Sequence, residues 1–388
     1  MIGTLAYWLA IAAGAGFAAF AGRARDVLVL GLSLILIAQW DLRAVAVVLA
    51  LMGVVLAAAP RLGPDRPHNT LLTRGLVVFL VVTLVAFRQL LPLTGHAALL
   101  VAPLGLSYFA FKLIHVVVEL SRGSFGPPQP LRFAQYLLLF PAFLAGPIER
   151  WDNFTAGRRE RLTKDDVAFG LTRIAHGLIK KFCIAELLGT RLLALVSVDS
   201  IAHAEHVPPT WRLWGHIVGN LVYLYFDFSG YSDLALGGSA LLGYRLQENF
   251  DRPFLATNIT EWWRRWHISL LRWCMDYVYM PMLGLTRNPV LAGYCSMFVM
   301  GMWHNVSPAW AIWGLIHGTS LALYQRLQMR RRRLKIKPKP PAFAKRQVLR
   351  LVTVGAVIAP WAFTLTDKLG LYAGLRFFLG LFGVGIPA

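Results

Sequence analysis

Charged residues are scarce in this 388-residue chain: Asp, Glu, Lys and Arg make up 15% of it, whereas 57% is hydrophobic. A soluble domain carries about 25% charged residues. Several apolar stretches approach the roughly 20 residues that an α-helix needs to cross the hydrocarbon core of a bilayer. The stretches are continuous and do not alternate between apolar and polar residues, which disfavours a β-barrel. The sequence therefore predicts an all-α polytopic membrane protein.

Metal-binding and nucleotide-binding motifs are also missing. The three cysteines are too far apart for a zinc site, and an odd number gives no disulfide framework. Asp227 and Asp233 have no further carboxylates that would complete a cation site, so we interpret both as helix caps or as acceptors for buried hydroxyls. The chain lacks the Gly-x-Ser-x-Gly elbow of serine hydrolases and the phosphate-binding loop of ATP-driven transporters. We therefore predict no metal site and no bound cofactor.

Acidic residues are absent from the most basic part of the chain. Between Arg326 and Arg350 the sequence has eleven Lys or Arg and no Asp or Glu, which accounts for more than half of the net charge of +20. Positive charge of this kind marks loops on the cytoplasmic side of a membrane and attracts anionic lipid headgroups. No run of aromatic residues alternates with the charges, as it does in proteins that bind single-stranded nucleic acid. We predict a cytoplasmic loop over 326–350 and no nucleic-acid partner.

Apolar stretches separated by short polar breaks make up most of the chain. They predict about ten or eleven membrane segments in one membrane domain over 1–388, without a soluble module. The stretch 133–149 is short and is broken by two prolines and a glycine, which predicts a re-entrant segment. The stretches 164–190 and 258–281 are amphipathic or rich in Trp and Arg, which predicts helices at the membrane interface. The predicted spans are 4–21, 27–39, 44–59, 75–91, 97–120, 211–226, 290–303, 309–327, 347–366 and 368–386.

Three polar residues in the predicted span 97–120 share one helical face, because Lys112, His115 and Glu119 are three and four positions apart. Ionisable groups at membrane depth are costly, and they either line a substrate path or pair with one another. The face therefore lines a polar cavity or holds ion pairs that are satisfied within the protein.

Two histidines stand beside tryptophans. His267 follows Trp-Trp-Arg-Arg-Trp, and His304 follows Gly-Met-Trp at the end of an apolar stretch. Histidine titrates near neutral pH, so it can take a proton from a hydroxyl that attacks a carbonyl carbon, and can later return it. A hydrogen bond to a neighbouring helix would also explain each of these histidines, as it would His317, which lies on the next predicted helix with Trp313. With no nucleophile motif present, His267 and His304 favour direct acyl transfer between two bound substrates.

Five blocks of sequence run through most of residues 100–325. They are Gly146-Pro-Ile-Glu-Arg150, Phe228-Ser-Gly-Tyr-Ser-Asp233, Trp262-Trp-Arg-Arg-Trp-His267-Ile-Ser-Leu, Gly301-Met-Trp-His304 and Trp313-Gly-Leu-Ile-His317-Gly. Together and in this order they resemble the signature blocks of the membrane-bound O-acyltransferase family. The bacterial branches that they resemble add D-alanine to teichoic acid or acetyl groups to alginate and related polysaccharides. The chain departs from that pattern at Asn305, Leu271 and Met275, where glycine, serine and arginine are usual.

The resemblance implies a ring of helices around a central funnel or tunnel in the bacterial cytoplasmic membrane. It implies that His304 is the catalytic histidine and that His267 is a second, assisting one. It also implies a thioester donor on the cytoplasmic side, acetyl-CoA or an acyl carrier protein, and an acceptor hydroxyl on an extracytoplasmic polysaccharide or envelope polymer. We expect an extracytoplasmic acyltransferase as a partner. Further candidates for the substrate tunnel are Trp303, Asn305, Trp266, Asp233 and His317.

Two other functions are compatible with this sequence. A transporter or lipid-linked sugar flippase would need a polar path, for which Lys112, Glu119 and Asp227 are available, but no pair of broken helices in symmetric halves is visible. A catalytically silent subunit that docks a secreted transferase would need none of the histidines. Between the two acyl groups, the Ala- and Arg-rich composition favours acetyl, whereas the block Gly-Pro-Ile-Glu-Arg is closer to the D-alanyl branch.

Overall fold

The computed structural model describes residues 3–17, 23–90, 103–193, 208–336 and 341–385. Within these ranges the chain is mainly helical and forms no β-strand, which confirms the all-α prediction. The predicted spans 4–21, 75–91, 97–120 and 368–386 each extend into residues outside these ranges. The helices are α1 Leu5–Phe17, α2 Arg23–Ala58, α3 Asn69–Val85, α4 Leu106–Arg122, α5 Pro130–Leu138, α6 Trp151–Ala156, α7 Lys164–Leu178, α8 Thr210–Leu241, α9 Ile259–Arg265, α10 Ile268–Cys274, α11 Met280–Thr286, α12 Pro289–His304, α13 Pro308–Arg333, α14 Phe343–Ile358, α15 Trp361–Leu365 and α16 Leu371–Gly380.

Three helical stretches among the described residues are long and apolar enough to cross a bilayer. They are Ala24–Arg61, Asn69–Gln89 and Phe343–Leu365. Two shorter apolar helices cover Leu5–Gly16 and Leu371–Gly380. Large apolar side chains stay exposed on the long stretches, for example Leu71 at 72% and Leu351 at 74%, as surfaces that face lipid require. The chain is an all-α membrane protein, while further spans and the ring around a funnel stay predictions.

The bend in α2 lies where a polar break separates two predicted spans. Asp41 leaves the helical conformation, with φ −157° and ψ 94°. Its carboxylate accepts hydrogen bonds from the backbone N–H groups of Arg43 at 3.0 Å, Ala44 at 3.2 Å and Leu104 at 3.1 Å. Two of these groups begin the second half of α2, so Asp41 caps that half in the way that an N-terminal aspartate caps a new helix. The predicted break is confirmed.

The chain forms two compact units that use alternating parts of the sequence. Unit one consists of Met1–Leu178 and Gly230–Glu248, and unit two consists of Ile179–Ser229 and Asn249–Ala388. The chain therefore passes from unit two to unit one within α8. The single membrane domain over 1–388 stays a prediction.

In unit one, the predicted re-entrant stretch is short and irregular, as expected. After α5 ends, one turn of 3₁₀-helix covers Phe140–Ala142, and turns and loop continue to Arg150. The side chains of Phe140, Phe143 and Ile148 are buried. The non-helical backbone is thus covered by protein, which is the condition under which irregular backbone is tolerated at membrane depth.

The polar face of α4 is satisfied inside unit one. The buried Lys112 donates from Nζ to the carbonyl oxygen of Tyr136 at 2.9 Å, and the backbone N–H of Trp151 donates to Nε2 of the buried His115 at 2.9 Å. Glu119 forms an ion pair with an arginine three residues further along α4. These contacts favour internal ion pairs and hydrogen bonds over a polar cavity.

The two aspartates in α8 are not helix caps. Asp227 and Asp233 both lie in the interior of that helix, so the cap interpretation is wrong. In unit two, Asp227 pairs with Lys181. In unit one, Asp233 pairs with Arg173 at 3.0 Å. Each carboxylate is neutralised by a cation from a distant part of the sequence, which no local pattern could reveal.

In unit two, α12 and α13 pack closely together. A Cβ atom at Gly301 would lie 2.4 Å from the carbonyl oxygen of Trp310, and one at Gly314 would lie 2.7 Å from the carbonyl oxygen of Met297. Both distances are well inside van der Waals contact, so only glycine permits this approach. The close packing holds the C-terminal end of α12 against the first turns of α13.

The break between α12 and α13 is the predicted one. The Ser307 side chain caps α13, and Pro308 occupies its first position, where a missing N–H does no harm. The helix then continues to Arg333 and α14 begins at Phe343, so both ends of the predicted basic loop 326–350 are helical and the loop prediction is wrong there. Leu, Gln, Met and Arg in this stretch are all good helix formers. Residues 337–340 lie outside the described ranges.

Candidate active site

His304 is the last residue of α12, at the negative end of the helix dipole. Its half-buried ring stacks on Trp310, with ring centroids 4.7 Å apart and planes inclined by 22°. Trp303 and Trp313 approach its edge, with centroids at 4.7 and 6.1 Å. A helix C-terminus and an indole face both attract positive charge. His304 therefore stands at a helix C-terminus with an indole against its ring.

His267 lies in a break between two short helices. After α9 ends, Trp266 is extended, and His267 adopts the left-handed conformation with φ 46° and ψ 54° before α10 begins. Trp263, His267 and Leu271 are four residues apart, but they do not share one helical face because the helix stops between them. The ring of His267 is buried.

A short antiparallel pairing imposes this break. The backbone N–H of Ile268 donates to the carbonyl oxygen of Asn249 at 2.9 Å. The backbone N–H of Asp251 donates to the carbonyl oxygen of Arg265 at 2.9 Å. A left-handed conformation at a residue with a Cβ costs of order 1–3 kcal/mol and persists only where the surroundings enforce it. The segment 249–251 thus determines where His267 stands.

The helix that leads to His267 is held by side-chain hydrogen bonds. Asn258 caps α9 by accepting from the N–H of Glu261 at 2.9 Å. Glu261 pairs with Arg265 at 2.8 Å, as the spacing predicts, and accepts from the N–H and hydroxyl of Thr257. Burial alone would raise the pKa of Glu261, but these hydrogen bonds and the nearby guanidinium hold that pKa below its usual value.

The hydrogen bonds around His267 determine its tautomer. Asn249 Oδ1 lies 3.1 Å from His267 Nδ1, 3.3 Å from the backbone nitrogen of Ser269 and 2.9 Å from the Ser269 hydroxyl. A backbone N–H can only donate, so its partner on Asn249 is the oxygen and not the amide nitrogen. His267 therefore carries its proton on Nδ1 and a lone pair on Nε2. Nε2 is buried and has no hydrogen-bond partner among the described residues.

Trp303 contacts both His267 and His304. Its ring centroid lies 6.1 Å from that of His267 and 4.7 Å from that of His304. The two imidazoles are close enough for a charge on one to act on the other. Phe228 also contacts His267, in an edge-to-face arrangement with ring centroids 4.8 Å apart. The structure thus brings together the two histidines that the sequence singles out.

His317 belongs to the same aromatic cluster but stands further along α13. It is fully buried, with Trp313 at 4.4 Å and Trp263 at 5.1 Å between ring centroids. Neither of its ring nitrogens has a hydrogen-bond partner within the described part of the chain, so the interhelical hydrogen bond is not found there. Trp313 contacts both His317 and His304, which places one indole between these two histidines.

Asn305 continues the site beyond the end of α12. Its backbone N–H donates to the carbonyl oxygen of Gly301 at 3.3 Å, and its Nδ2 donates to Asp367 Oδ2 at 2.7 Å. A hydrogen bond to a carboxylate is stronger than one to a neutral acceptor. Asp367 therefore holds the amide of Asn305 in a defined orientation next to His304.

The remaining two predicted site residues lie outside this cluster. Trp266 stacks on Trp262 with centroids 5.4 Å apart and packs edge-on against Phe250 at 5.2 Å, so it serves the packing of unit two. Asp233 belongs to unit one. The stretch 258–281, predicted as an interfacial helix, is broken into short helical pieces, and both tryptophans named here are buried within the protein.

Three residues around the histidines escape prediction from the sequence: Asn249, Trp310 and Asp367. Asn249 and Asp367 are far along the chain from the groups they contact, and no local pattern marks them. Trp310 carried a usable signal, because a serine cap followed by proline at 307–308 returns the chain towards the end of α12. A tryptophan in the first turn after such a return is placed to contact His304.

Comparisons with known proteins identify the family to which this chain belongs. A model of the membrane-bound O-acyltransferase family matches residues 44–363. The probable alginate O-acetylase AlgI of Azotobacter vinelandii is 36% identical over 262 residues, which cover 66% of this chain and 50% of the relative. The teichoic acid D-alanyltransferase of Bacillus subtilis is 32% identical over 240 residues, which cover 58% and 59%. The peptidoglycan O-acetyltransferase of Helicobacter pylori is 34% identical over 203 residues, which cover 50% and 37%. The chain spans about half the length of the curated relatives it matches.

Proposed function

The chain belongs to the membrane-bound O-acyltransferase family, and we propose that it transfers a short acyl group to a hydroxyl of an extracytoplasmic polysaccharide or other envelope polymer. The acyl group is acetyl in preference to D-alanyl, because the relatives that cover 66% of this chain are named as acetylases. The donor is a thioester on the cytoplasmic side, carried by coenzyme A or by a carrier protein. The protein works in the bacterial cytoplasmic membrane.

The placement of His304 is the observation that carries this proposal. A general base becomes positively charged as it takes a proton, so a site that stabilises that charge lowers the barrier. His304 ends α12 and stacks on the face of Trp310. A helix C-terminus is worth about 0.3–1 kcal/mol for a cation at an exposed site and up to about 2 kcal/mol where it is partly buried. Both features favour the imidazolium over the neutral ring.

The reaction that follows needs no covalent intermediate on the protein. Neutral His304 takes the proton of the acceptor hydroxyl while the hydroxyl oxygen attacks the thioester carbonyl carbon. The new C–O bond forms and the C–S bond breaks. The proton then passes from the imidazolium to the departing thiolate, and the products are an ester and a free thiol.

Asn305 is the residue that we assign to the oxyanion of the tetrahedral intermediate. The negative charge that develops on the carbonyl oxygen needs a donor held in place before the reaction. Asn305 stands next to His304, and Asp367 orients its amide through the 2.7 Å hydrogen bond. The sequence alone leaves Trp303, Asn305 and a backbone N–H as equal candidates, and the contact with Asp367 favours Asn305.

We further propose that an extracytoplasmic acyltransferase acts as a partner in modifying the polymer, and that the donor side engages coenzyme A or a carrier protein. Co-purification from detergent-solubilised membranes tests the first point. Recovery of this chain alone, fully active on polymer, would refute it.

The function is tested by the incorporation of labelled acetate and labelled D-alanine into cell-surface glycan, measured in parallel. Cells carry the wild type, a deletion, or His304→Ala at equal membrane levels, and His176→Ala serves as a control because that histidine is exposed. We expect the acetate label to fall in the deletion and in His304→Ala, and to persist in His176→Ala. Loss in the deletion with retention in His304→Ala would instead favour a transporter or a docking subunit.

A further inference from the structure

His267 can accept a hydrogen bond from a bound molecule but cannot donate one to it. Its Nδ1–H is used by Asn249, and its Nε2 lone pair is buried without a partner among the described residues. A buried acceptor left unsatisfied costs about 1–3 kcal/mol. That cost is offset when a bound molecule brings an O–H or N–H group to Nε2. The resting structure is therefore prepared for a ligand that donates.

The tautomer is fixed by its neighbours. Asn249, His267 and Ser269 are each at most 4% exposed, so bulk water does not compete for these hydrogen bonds. Moving the proton from Nδ1 to Nε2 would set the Nδ1 lone pair against Asn249 Oδ1. Rotating the Asn249 amide would set its NH₂ group against the backbone N–H of Ser269, which donates to the oxygen at 3.3 Å. Either change places like groups together in a buried site.

We infer that Asn249 is a positioning residue that holds His267 as an acceptor for a second hydroxyl of the acceptor substrate, an inference that rests on the proposed function. The hydroxyl that is acylated has one proton, and His304 takes it. His267 in this tautomer cannot donate to the thioester carbonyl. His267 Nε2 therefore accepts a hydrogen bond from a different hydroxyl. A sugar ring carries such a hydroxyl next to the one that is acylated. The preferred acceptor is thus a carbohydrate with neighbouring hydroxyls.

The experiment is a double-mutant cycle on Asn249 and His267, read as the initial rate of label incorporation into surface glycan per amount of folded protein. The label is whichever of acetate and D-alanine the wild type incorporates. The single variants Asn249→Ala and His267→Ala should each lose about 10- to 100-fold, because the acceptor sugar is then held less well in the reactive position. If Asn249 acts only through His267, the double variant is no slower than His267→Ala, since the two changes are then not additive.

Two further variants separate positioning from folding. Asn249→Asp keeps an oxygen that accepts from Nδ1–H and should restore the rate to within about threefold of the wild type, less than one power of ten in rate. His176→Ala, at an exposed histidine outside the site, should also stay within about threefold. Melting temperatures of the purified full-length variants report any loss of folding separately.

The outcomes are distinct. If Asn249→Ala keeps the wild-type rate in cells where His304→Ala is inactive, the inference is wrong and the proposed function still stands. Full additivity in the double variant, or a failure of Asn249→Asp to recover the rate at normal melting temperature, also overturns it. An active His304→Ala overturns the proposed function instead.

Discussion

Replacing Trp310 by leucine should slow acyl transfer without unfolding the protein. The indole lies over the His304 ring at 4.7 Å and 22°, so it stabilises the imidazolium that forms as the base takes its proton. A cation over an indole is worth about 0.5–2 kcal/mol, depending on how far it is desolvated. At about 1.4 kcal/mol per factor of ten, this predicts a rate loss of about two- to thirtyfold. Because the histidine is neutral before the reaction, the loss should fall on kcat and leave KM for the thioester nearly unchanged.

The assay uses inside-out membrane vesicles supplied with labelled acetyl-CoA, with the rate normalised to folded protein. Trp310→Phe keeps an aromatic face and should recover most of the rate, while Trp211→Leu, at a side chain that is 74% exposed, should behave as the wild type. A Trp310→Leu protein with the wild-type kcat would refute the stacking argument. So would a phenylalanine variant as slow as the leucine variant at the same melting temperature.

Three further predictions concern packing, orientation and pH. Gly314→Ala should lower the melting temperature in detergent, because its Cβ would lie 2.7 Å from a backbone oxygen of α12. Gly293→Ala, which meets nothing within 4 Å, should instead stabilise α12 by up to about 1 kcal/mol; equal shifts would contradict the close packing. Asp367→Ala should lower kcat about tenfold or more, and its effect should vanish in an Asn305→Ala background if the carboxylate acts only by holding that amide; comparison of initial rates in the single and double variants decides. The pKa of Glu261 is depressed in the folded protein, so its contribution is present above its ordinary pKa of 4.5 and is lost as the pH falls through the lower folded value. Melting temperatures of the wild type and Glu261→Gln should therefore differ at neutral pH and converge in acid, and a constant difference would contradict this assignment.

Polar residues and prolines that interrupt apolar stretches predict helix ends correctly at two places. The break at Asp41 and the break before Pro308 are both visible as polar or proline interruptions of apolar runs, and both are present in the structure. The break at His267 could not be predicted, because Trp-Trp-Arg-Arg-Trp-His-Ile-Ser-Leu contains no glycine or proline and reads as one continuous helix. It results from pairing with residues 249–251, which is a tertiary contact that overrides local propensity.

The candidate site likewise contains residues that the sequence predicts and residues that it does not. His267 and His304 stand out in the sequence because ionisable residues beside tryptophan are unusual in apolar surroundings. The groups that orient them do not stand out: Asn249 and Asp367 are ordinary polar residues whose meaning depends on what folds against them. The ion-pair partners of Asp227 and Asp233 cannot be predicted for the same reason, so the interpretation of both residues as helix caps is wrong.

Because the two units use alternating parts of the sequence, the ribosome cannot complete unit one before it has synthesised part of unit two. Unit one needs residues 230–248, which supply Asp233 for the ion pair with Arg173 and Tyr244 for its contact with Asp26. Residues 179–229 of unit two must be synthesised first. At about 5–20 residues per second, the earlier part of unit one waits on the order of a few seconds in the membrane with Arg173 lacking Asp233. A nascent chain halted in that interval has an Arg173 without either of its carboxylate partners, Asp233 and Glu248.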